Sequence, residues 1–200
     1  ADLNNDGTLD ILVANYGSSD VSVLLGSGVG TFGQAMSILI GGIPTTVDVA
    51  DLDSDGFLDI VVGIYGPAMT VRLGNGNGTF KPGFTYELGS RCTRLAIGDV
   101  DNDGVLDIAA GTIGGYVSLR FGSSQGRFRE LIYSASANEP ITIASADFNE
   151  DGIFDILTTH LGDNIASISL GSGNGEFVLA QILDVGIIGS PTSLGDINND

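Results

Sequence analysis

The 200-residue chain is poor in the residues that several functional classes require. It has 7 Lys+Arg against 25 Asp+Glu, one His, one Cys and no Trp, and its formal net charge is −18. A nucleic-acid-binding protein needs a basic surface for the phosphates, so this charge argues against nucleic acid and against an anionic membrane as partners. A single cysteine, Cys92, excludes an internal disulfide, and there is no Cys/His set for zinc.

Long apolar segments are missing too, although the chain is not polar. The longest apolar runs, such as residues 185–188, are far shorter than the roughly 18 residues of a membrane-spanning helix, so no span is expected. Yet 42% of the residues are hydrophobic, which excludes an acidic disordered chain. Because the sequence begins at Ala1 with a polar loop, we expect any secretion signal to have been removed or to lie outside this segment.

What the sequence does contain is an internal repeat of 48 or 49 residues. An acidic nine-residue motif starts at Asp2, Asp51, Asp99 and Asp147, and its first five residues recur from Asp196. A second motif, G-x-x-x-G-x-F, starts at Gly26, Gly74, Gly122 and Gly171. The two motifs keep the same step along the whole chain, which indicates a repeat architecture.

Each repeat is predicted to form four β-strands. A continuous apolar run follows each acidic motif, as at residues 58–62, and this pattern favours strands covered on both faces. A second strand, a third beginning at each Phe of the Gly-rich motif and a fourth before the next acidic motif complete the unit. No segment has sustained 3.6-residue apolar spacing, so we expect essentially no helix. The predicted fold class is all-β, with four-stranded antiparallel blades of a β-propeller.

The acidic D-x-[DN]-x-D-G-x-x-D motif, together with the Gly-rich turn, resembles the FG-GAP/VCBS repeat family, whose calcium-loop blades also build integrin α-subunit heads. The resemblance covers the whole chain and implies that the strand before each acidic loop is the innermost of its blade. It also implies that this segment comes from a longer array, with seven blades as the expected number. The expected divisions are a partial blade with an acidic loop and three outer strands (1–43), three blades (44–91, 92–139, 140–188) and an inner strand with half a loop (189–200).

The acidic loops have the composition of calcium sites. Calcium prefers six to eight oxygen ligands, and carboxylates at alternate positions of a tight loop can point to one centre. The predicted ligands are the side chains at positions one, three, five and nine and the carbonyl at position seven, with about one Ca²⁺ per complete loop. They are Asp2, Asn4, Asp6, Thr8 and Asp10; Asp51, Asp53, Asp55, Phe57 and Asp59; Asp99, Asp101, Asp103, Val105 and Asp107; Asp147, Asn149, Asp151, Ile153 and Asp155; and, in the incomplete fifth loop, Asp196, Asn198 and Asp200. Loops one and four contain an Asn, so we expect them to bind more weakly.

An EF-hand, a magnesium site and a plain turn each fit these loops less well. An EF-hand needs a bidentate Glu at position twelve, where this chain has Val13, Val62, Ala110 and Thr158. Magnesium keeps several waters and rarely uses a full protein cage. Plain Asp/Asn/Gly turns would not require a further acid inside an apolar strand three residues after the Gly, where a carboxylate is costly unless it is paired or metal-bound.

The remaining polar residues have simpler interpretations. We expect His160 and Cys92 to be structural, and the Gly-rich motifs to be tight turns rather than phosphate loops, because no helix follows them. Residues 77–79 form an N-glycosylation sequon. All seven cations lie between residues 72 and 129, as ordinary surface charges or as a face that meets an acidic glycan or protein.

The sequence therefore predicts a calcium-stabilised, non-catalytic extracellular module for recognition or adhesion, which binds a protein or a glycan. Its open edges would pair with neighbouring blades or chains. The alternative is a structural repeat unit of a surface fibre or a large repetitive exoprotein. An accessory propeller of a secreted lyase or hydrolase is a third possibility, but no nucleophile–base pair is evident, so we predict that the chain is not an enzyme.

Overall fold

The computed structural model describes residues 1–129, 131–135, 140–160 and 164–186, which form β-strands and no helix. The first sheet, blade 1, contains β1 (Ile11–Asn15), β2 (Asp20–Leu24) and β3 (Met36–Leu39). Blade 2 contains β4 (Pro44–Ala50), β5 (Asp59–Ile64), β6 (Ala68–Arg72) and β7 (Phe84–Glu87). Blade 3 contains β8 (Cys92–Gly98), β9 (Asp107–Thr112), β10 (Tyr116–Arg120) and β11 (Leu131–Ala135). Blade 4 contains β12 (Pro140–Ala146), β13 (Asp155–His160), β14 (Ile165–Gly171) and β15 (Phe177–Asp184).

Each sheet is an antiparallel meander whose strands neighbour one another in sequence order. In blades 2, 3 and 4 the strand before the acidic motif pairs with the strand after it, so that Ala50 lies opposite Asp59 and Ala146 opposite Asp155. Each acidic loop between two such strands is therefore a hairpin within one sheet. The all-β class and the four-stranded antiparallel blade are confirmed.

The described residues group into two compact units. The first comprises residues 1–92 with 122–129, and the second comprises the remaining described residues from Thr93 onward. In the first unit, Val21 and Ile40 of blade 1 pack with Ile60 and Val62 of blade 2. In the second unit, a larger cluster joins blades 3 and 4 through Ala96, Val100, Ala109, Val117, Leu119, Phe121, Ile143 and Ile156. Both cores thus lie between the faces of neighbouring sheets.

Burial explains the continuous apolar runs. The first five residues of β5 and all six residues of β9 are buried, as expected for strands covered on both faces. In β1 the burial alternates instead, with Ile11 and Val13 exposed. The β1 sequence is as apolar as the others, but one of its faces has no neighbouring sheet among the described residues.

The third strands of blades 1 and 2 begin later than the sequence predicted. Phe32 and Phe80 form only isolated bridges with Gly26 and Gly74, and the strands start four residues further on. In blade 2 the intervening Pro82 lacks an N–H and Gly83 weakens strand formation. In blade 4, where Val178 and Leu179 follow Phe177, the strand begins at the Phe as predicted.

Blade 1 contains one buried acid that belongs to neither motif. Asp20 begins β2, and its Oδ1 accepts hydrogen bonds from Ser18 Oγ (2.5 Å) and Asn15 Nδ2 (2.9 Å). Ser37 Oγ donates to its Oδ2. These hydrogen bonds, that from Ser18 foremost, lower the pKa of Asp20, although burial acts in the opposite direction. The carboxylate therefore holds β1, β2 and β3 together in its ionised form.

We expect Asp20→Asn to lower the stability of the protein at pH 7. Because the folded-state pKa lies below the unfolded value of about 3.9, the contribution of the carboxylate is complete above that value and is lost as the pH falls through the folded-state pKa. Urea midpoints of wild type and variant should therefore converge towards low pH. Asp184→Asn, at an exposed position, serves as the control. A difference between Asp20→Asn and wild type that stays constant down to the acid limit would contradict this role.

Candidate metal centres

The four complete acidic loops share one backbone conformation. The first Asp of each loop accepts hydrogen bonds from the amides of positions five (3.0–3.2 Å) and six (2.7–2.9 Å). Position six is Gly with φ between 81° and 85°, and position four, although not Gly, has φ between 55° and 60°. The chain therefore turns twice through the left-handed region, which explains the need for Gly at position six.

The ninth residue of each motif is a buried carboxylate that joins the acidic loop to the rest of the blade. In loop two, Asp59 Oδ2 accepts the Leu52 amide (2.8 Å) and Oδ1 accepts the Gly74 amide (2.7 Å). The same pair of bonds is present at Asp10 and Asp155. The costly buried acids predicted from the sequence are thus paired with backbone amides, and the Gly-rich motif supplies one of the two donors.

The first Gly of the second motif must approach the preceding strand closely. A Cβ atom placed on Gly74 would lie 2.3 Å from the Leu58 carbonyl oxygen, and Gly26 and Gly171 are equally confined. Only Gly can therefore bring its amide to the ninth-position carboxylate. The sequence did not reveal this hydrogen bond between the Gly-rich motif and the ninth-position Asp. The signal that could have revealed it is the spacing between the two residues, which is 15 or 16 in every repeat.

Loops two and three each bring three carboxylates close together, and in loop two the Lys81 ammonium lies 3.7 Å from Asp55 Oδ2. In loop two, oxygens of Asp51, Asp53 and Asp55 all lie within 4.8 Å of one another, and in loop three the same holds for Asp99, Asp101 and Asp107. Asp53 Oδ1 is buried and has no hydrogen-bond partner among the described residues. An oxygen in this state is unfavourable alone and well suited to a hard cation.

Loops one and four differ because an amide replaces one carboxylate. Asn4 Nδ2 donates to Asp6 Oδ2 (2.9 Å), and Asn149 Nδ2 donates to Asp151 Oδ2 (2.8 Å). In these two loops, the fifth-position carboxylate therefore already has a hydrogen-bond donor from the protein, namely the Asn side chain of the same loop. That these two loops bind calcium more weakly stays a prediction.

The electrostatics of loop two are visible at its buried acid. The pKa of Asp59 is raised to about 6, and burial is the largest cause; the Asp53 and Asp55 carboxylates add to the rise, and the amides of Gly74 and Leu52 partly offset it. A cation among these carboxylates would oppose both effects that raise the pKa.

The other predicted positions are placed as follows. The amides of Thr8, Phe57, Val105 and Ile153 donate to the fifth-position carboxylates, while ligation through their carbonyls stays a prediction. Asp196, Asn198 and Asp200 lie outside the described residues, as does the division at 189–200. Cys92 is buried, and His160 is buried against the hydroxyls of Ser167 (2.9 Å) and Thr158 (3.1 Å).

Meandering antiparallel sheets, whose first two strands in blades 2, 3 and 4 are connected by an acidic hairpin loop, define a protein built of β-propeller blades. Its residues 2–62, 64–110 and 99–158 match the FG-GAP-like repeat. Because these segments span most of the sequence, the chain belongs to the FG-GAP-like repeat family. No curated protein matches it.

Solved structures with a similar fold include a lectin from Agrocybe aegerita that specifically recognises non-reducing terminal N-acetylglucosamine. It shares 21% identity with a TM-score of 0.62, over 92% of this chain and 50% of the lectin chain. Another is BBS1N in complex with ARL6DN, at 16% identity and a TM-score of 0.62, over 93% of this chain and 52% of that chain. The chain spans about half the length of these structures, and the likeness shows the fold. No helix in the described ranges is long and apolar enough to cross a membrane.

We expect Gly74→Ala to destabilise the protein by about 2 kcal/mol or more, because the new methyl group overlaps the Leu58 carbonyl and displaces the amide from Asp59. Thermal unfolding measures the effect. Gly66→Ala is the matched control in the same blade, since its Cβ meets nothing within 4 Å and its φ is not positive. Equal melting temperatures for the two variants would show that the close approach is unimportant.

Proposed function

We propose that the protein is a calcium-stabilised, non-catalytic extracellular module for recognition or adhesion, which binds a protein or a glycan. The observation that carries the calcium part is the buried Asp53 Oδ1 without a hydrogen-bond donor, beside the carboxylates of Asp51 and Asp55. Calcium between these oxygens would replace mutual repulsion with ligation. The same ligand positions in the other complete loops would hold one ion each.

The calcium affinity typical of extracellular modules fits an extracellular setting. Extracellular modules bind calcium with dissociation constants of about 10⁻⁴–10⁻³ M, so millimolar calcium adds about 0.4–1.4 kcal/mol per loop by mass action. Four loops would contribute roughly 2–6 kcal/mol, a large part of the stability of a typical domain. In a low-calcium compartment most of this stabilisation would be absent.

The recognition part is supported by the family and by the similar structures. The Agrocybe aegerita lectin recognises a sugar and BBS1N forms a complex with ARL6DN, so proteins that share this fold include binders of a glycan and of a protein. Catalysis has little support, because the contact between His160 and Ser167 is fully buried and inaccessible to a substrate.

Calcium should raise the melting temperature of the wild type, and EDTA should remove the increase. In Asp53→Ala, the calcium-dependent increase in melting temperature should be smaller by the contribution of loop two, which is about 1–5 °C. In EDTA this variant should melt at or above the wild-type temperature, because Asp53 Oδ1 has no hydrogen bond to lose and its removal relieves repulsion. Differential scanning calorimetry in calcium, magnesium and EDTA measures these differences.

Asp51→Ala is the matched comparison, since Asp51 accepts the amides of Asp55 and Gly56. It should lower the melting temperature with and without calcium. A wild type that does not respond to calcium would overturn the calcium proposal. An unchanged calcium response in Asp53→Ala would remove Asp53 from the ligand set.

A structural repeat unit is the second candidate, and one observation favours it. Ile11 and Val13 on β1 are 37% and 41% exposed, whereas Ile60 and Val62, at the same positions of β5, are 0% exposed because blade 1 covers them. The exposed face of β1 therefore carries apolar residues at the positions that β5 uses to contact blade 1. A blade from a second copy of the chain would fit against this face.

If copies associate through this face, the wild type should sediment as larger species with rising concentration. Val13→Lys should prevent the association, because it places a charge in the apolar contact. Thr85→Lys adds the same charge at an exposed position of β7 and should behave as wild type. Association that persists in Val13→Lys, or a wild type that stays monomeric, would remove the support for this candidate.

A further inference from the structure

Two exposed tyrosines and one arginine come together at the ends of β1 and β5 that lie away from the acidic loops. Tyr16 is 58% exposed and Tyr65 48%, with ring centroids 5.7 Å apart and ring planes at 86°. The Arg91 guanidinium carbon lies 4.7 Å from the centroid of the Tyr65 ring. We refer to Tyr16, Tyr65 and Arg91 as the Tyr–Arg surface.

Backbone hydrogen bonds fix the three segments that carry these residues. The Tyr65 amide donates to the Ile43 carbonyl (2.7 Å), and the Cys92 amide, next to Arg91, donates to the Gly66 carbonyl (3.4 Å). In the turn that contains Tyr16, the Ser19 amide donates a hydrogen bond to the Asn15 carbonyl (3.1 Å). A ligand would therefore meet side chains whose backbone is already in place, which lowers the entropic cost of binding.

The chemistry of the surface is aromatic and cationic. The Arg91 guanidinium lies over the Tyr65 ring at a cation–π distance, and its N–H groups are of the kind that pair with a carboxylate in a bidentate manner. No carboxylate lies within 4.0 Å of it among the described residues, in a chain with 25 acids. Tyr16 adds exposed ring surface beside it, and exposed aromatic area of this kind is typical of binding sites.

The negative loops do not oppose an anionic ligand here. β5 begins at Asp59 of an acidic loop and ends just before Tyr65, so its six residues separate the two by about 20 Å. That distance exceeds the Debye length of about 8 Å at physiological ionic strength. Asp20, the acid of the β1–β2 hairpin that carries Tyr16, already accepts hydrogen bonds from Asn15, Ser18 and Ser37, so Arg91 supplies the cation of this surface.

Resting on the proposed recognition function, we propose that the Tyr–Arg surface binds a glycan with a carboxylated sugar, such as a uronic or sialic acid. The apolar face of the sugar ring would lie on Tyr16, and its carboxylate would pair with Arg91 beside Tyr65. A sugar suits the size of the site, since three side chains offer far less than the roughly 800 Å² per partner of a standard protein interface.

The test is a glycan array probed with the whole chain in calcium, carrying acidic oligosaccharides beside their methyl-esterified or desialylated neutral counterparts. Wild type should bind the acidic members, and titration calorimetry with the best of them should give at least about tenfold weaker binding for Tyr16→Ala, Tyr65→Ala and Arg91→Gln. Tyr133→Ala, at another exposed tyrosine, is the control and should bind as wild type. Unchanged melting temperatures ensure that the variants are folded.

The outcomes separate this site from the function on which it rests. Glycan binding that survives all three substitutions overturns the Tyr–Arg surface and leaves the recognition function standing. Equal binding of neutral and acidic glycans, without an effect of Arg91→Gln, overturns the carboxylated class. If no glycan binds, the site is wrong, and a direct assay for a protein ligand then decides whether the recognition function is wrong as well.

Discussion

The structure depends on a buried carboxylate at the point where each strand leaves its acidic loop. Asp59 accepts one amide from its own loop, Leu52, and one from the Gly-rich turn, Gly74. Hydrogen bonds to a charged acceptor each contribute about 1.5–3 kcal/mol, more than neutral ones. The same arrangement is present at Asp10 and Asp155, so the acidic motif and the Gly-rich motif together form one hydrogen-bonded unit.

The acidic motif also concentrates the negative charge of the chain in the loops. Of the 25 acidic residues, 16 occupy predicted calcium-ligand positions, so the net charge of −18 is concentrated in a few short segments. In loop two, Asp53 and Asp55 add to the rise that burial gives the pKa of Asp59, and Asp53 Oδ1 is buried without a hydrogen-bond partner among the described residues. Loops one and four reduce the crowding with an Asn amide.

The period of the sequence was sufficient to predict the blades, because each repeat must bury its strands against the next. Strand ends were less predictable: Pro82 and Gly83 interrupt a ladder that the apolar pattern alone would extend to Phe80. The calcium ligand positions could be proposed from spacing, but the pairing of Asp59 with Gly74 required the fold. The Tyr–Arg surface could not be predicted, because residues 16, 65 and 91 meet only after two blades have packed.

Neighbouring blades are joined at the acidic loops by main-chain atoms. The Gly78 amide donates to the Leu3 carbonyl (3.0 Å) in the first unit, and the Gly175 amide donates to the Val100 carbonyl (3.3 Å) in the second. Such a joint does not depend on which side chains the two repeats carry. Gain or loss of a whole repeat by recombination would therefore preserve joints of this kind, whereas an insertion of part of a repeat would separate a donor from its acceptor.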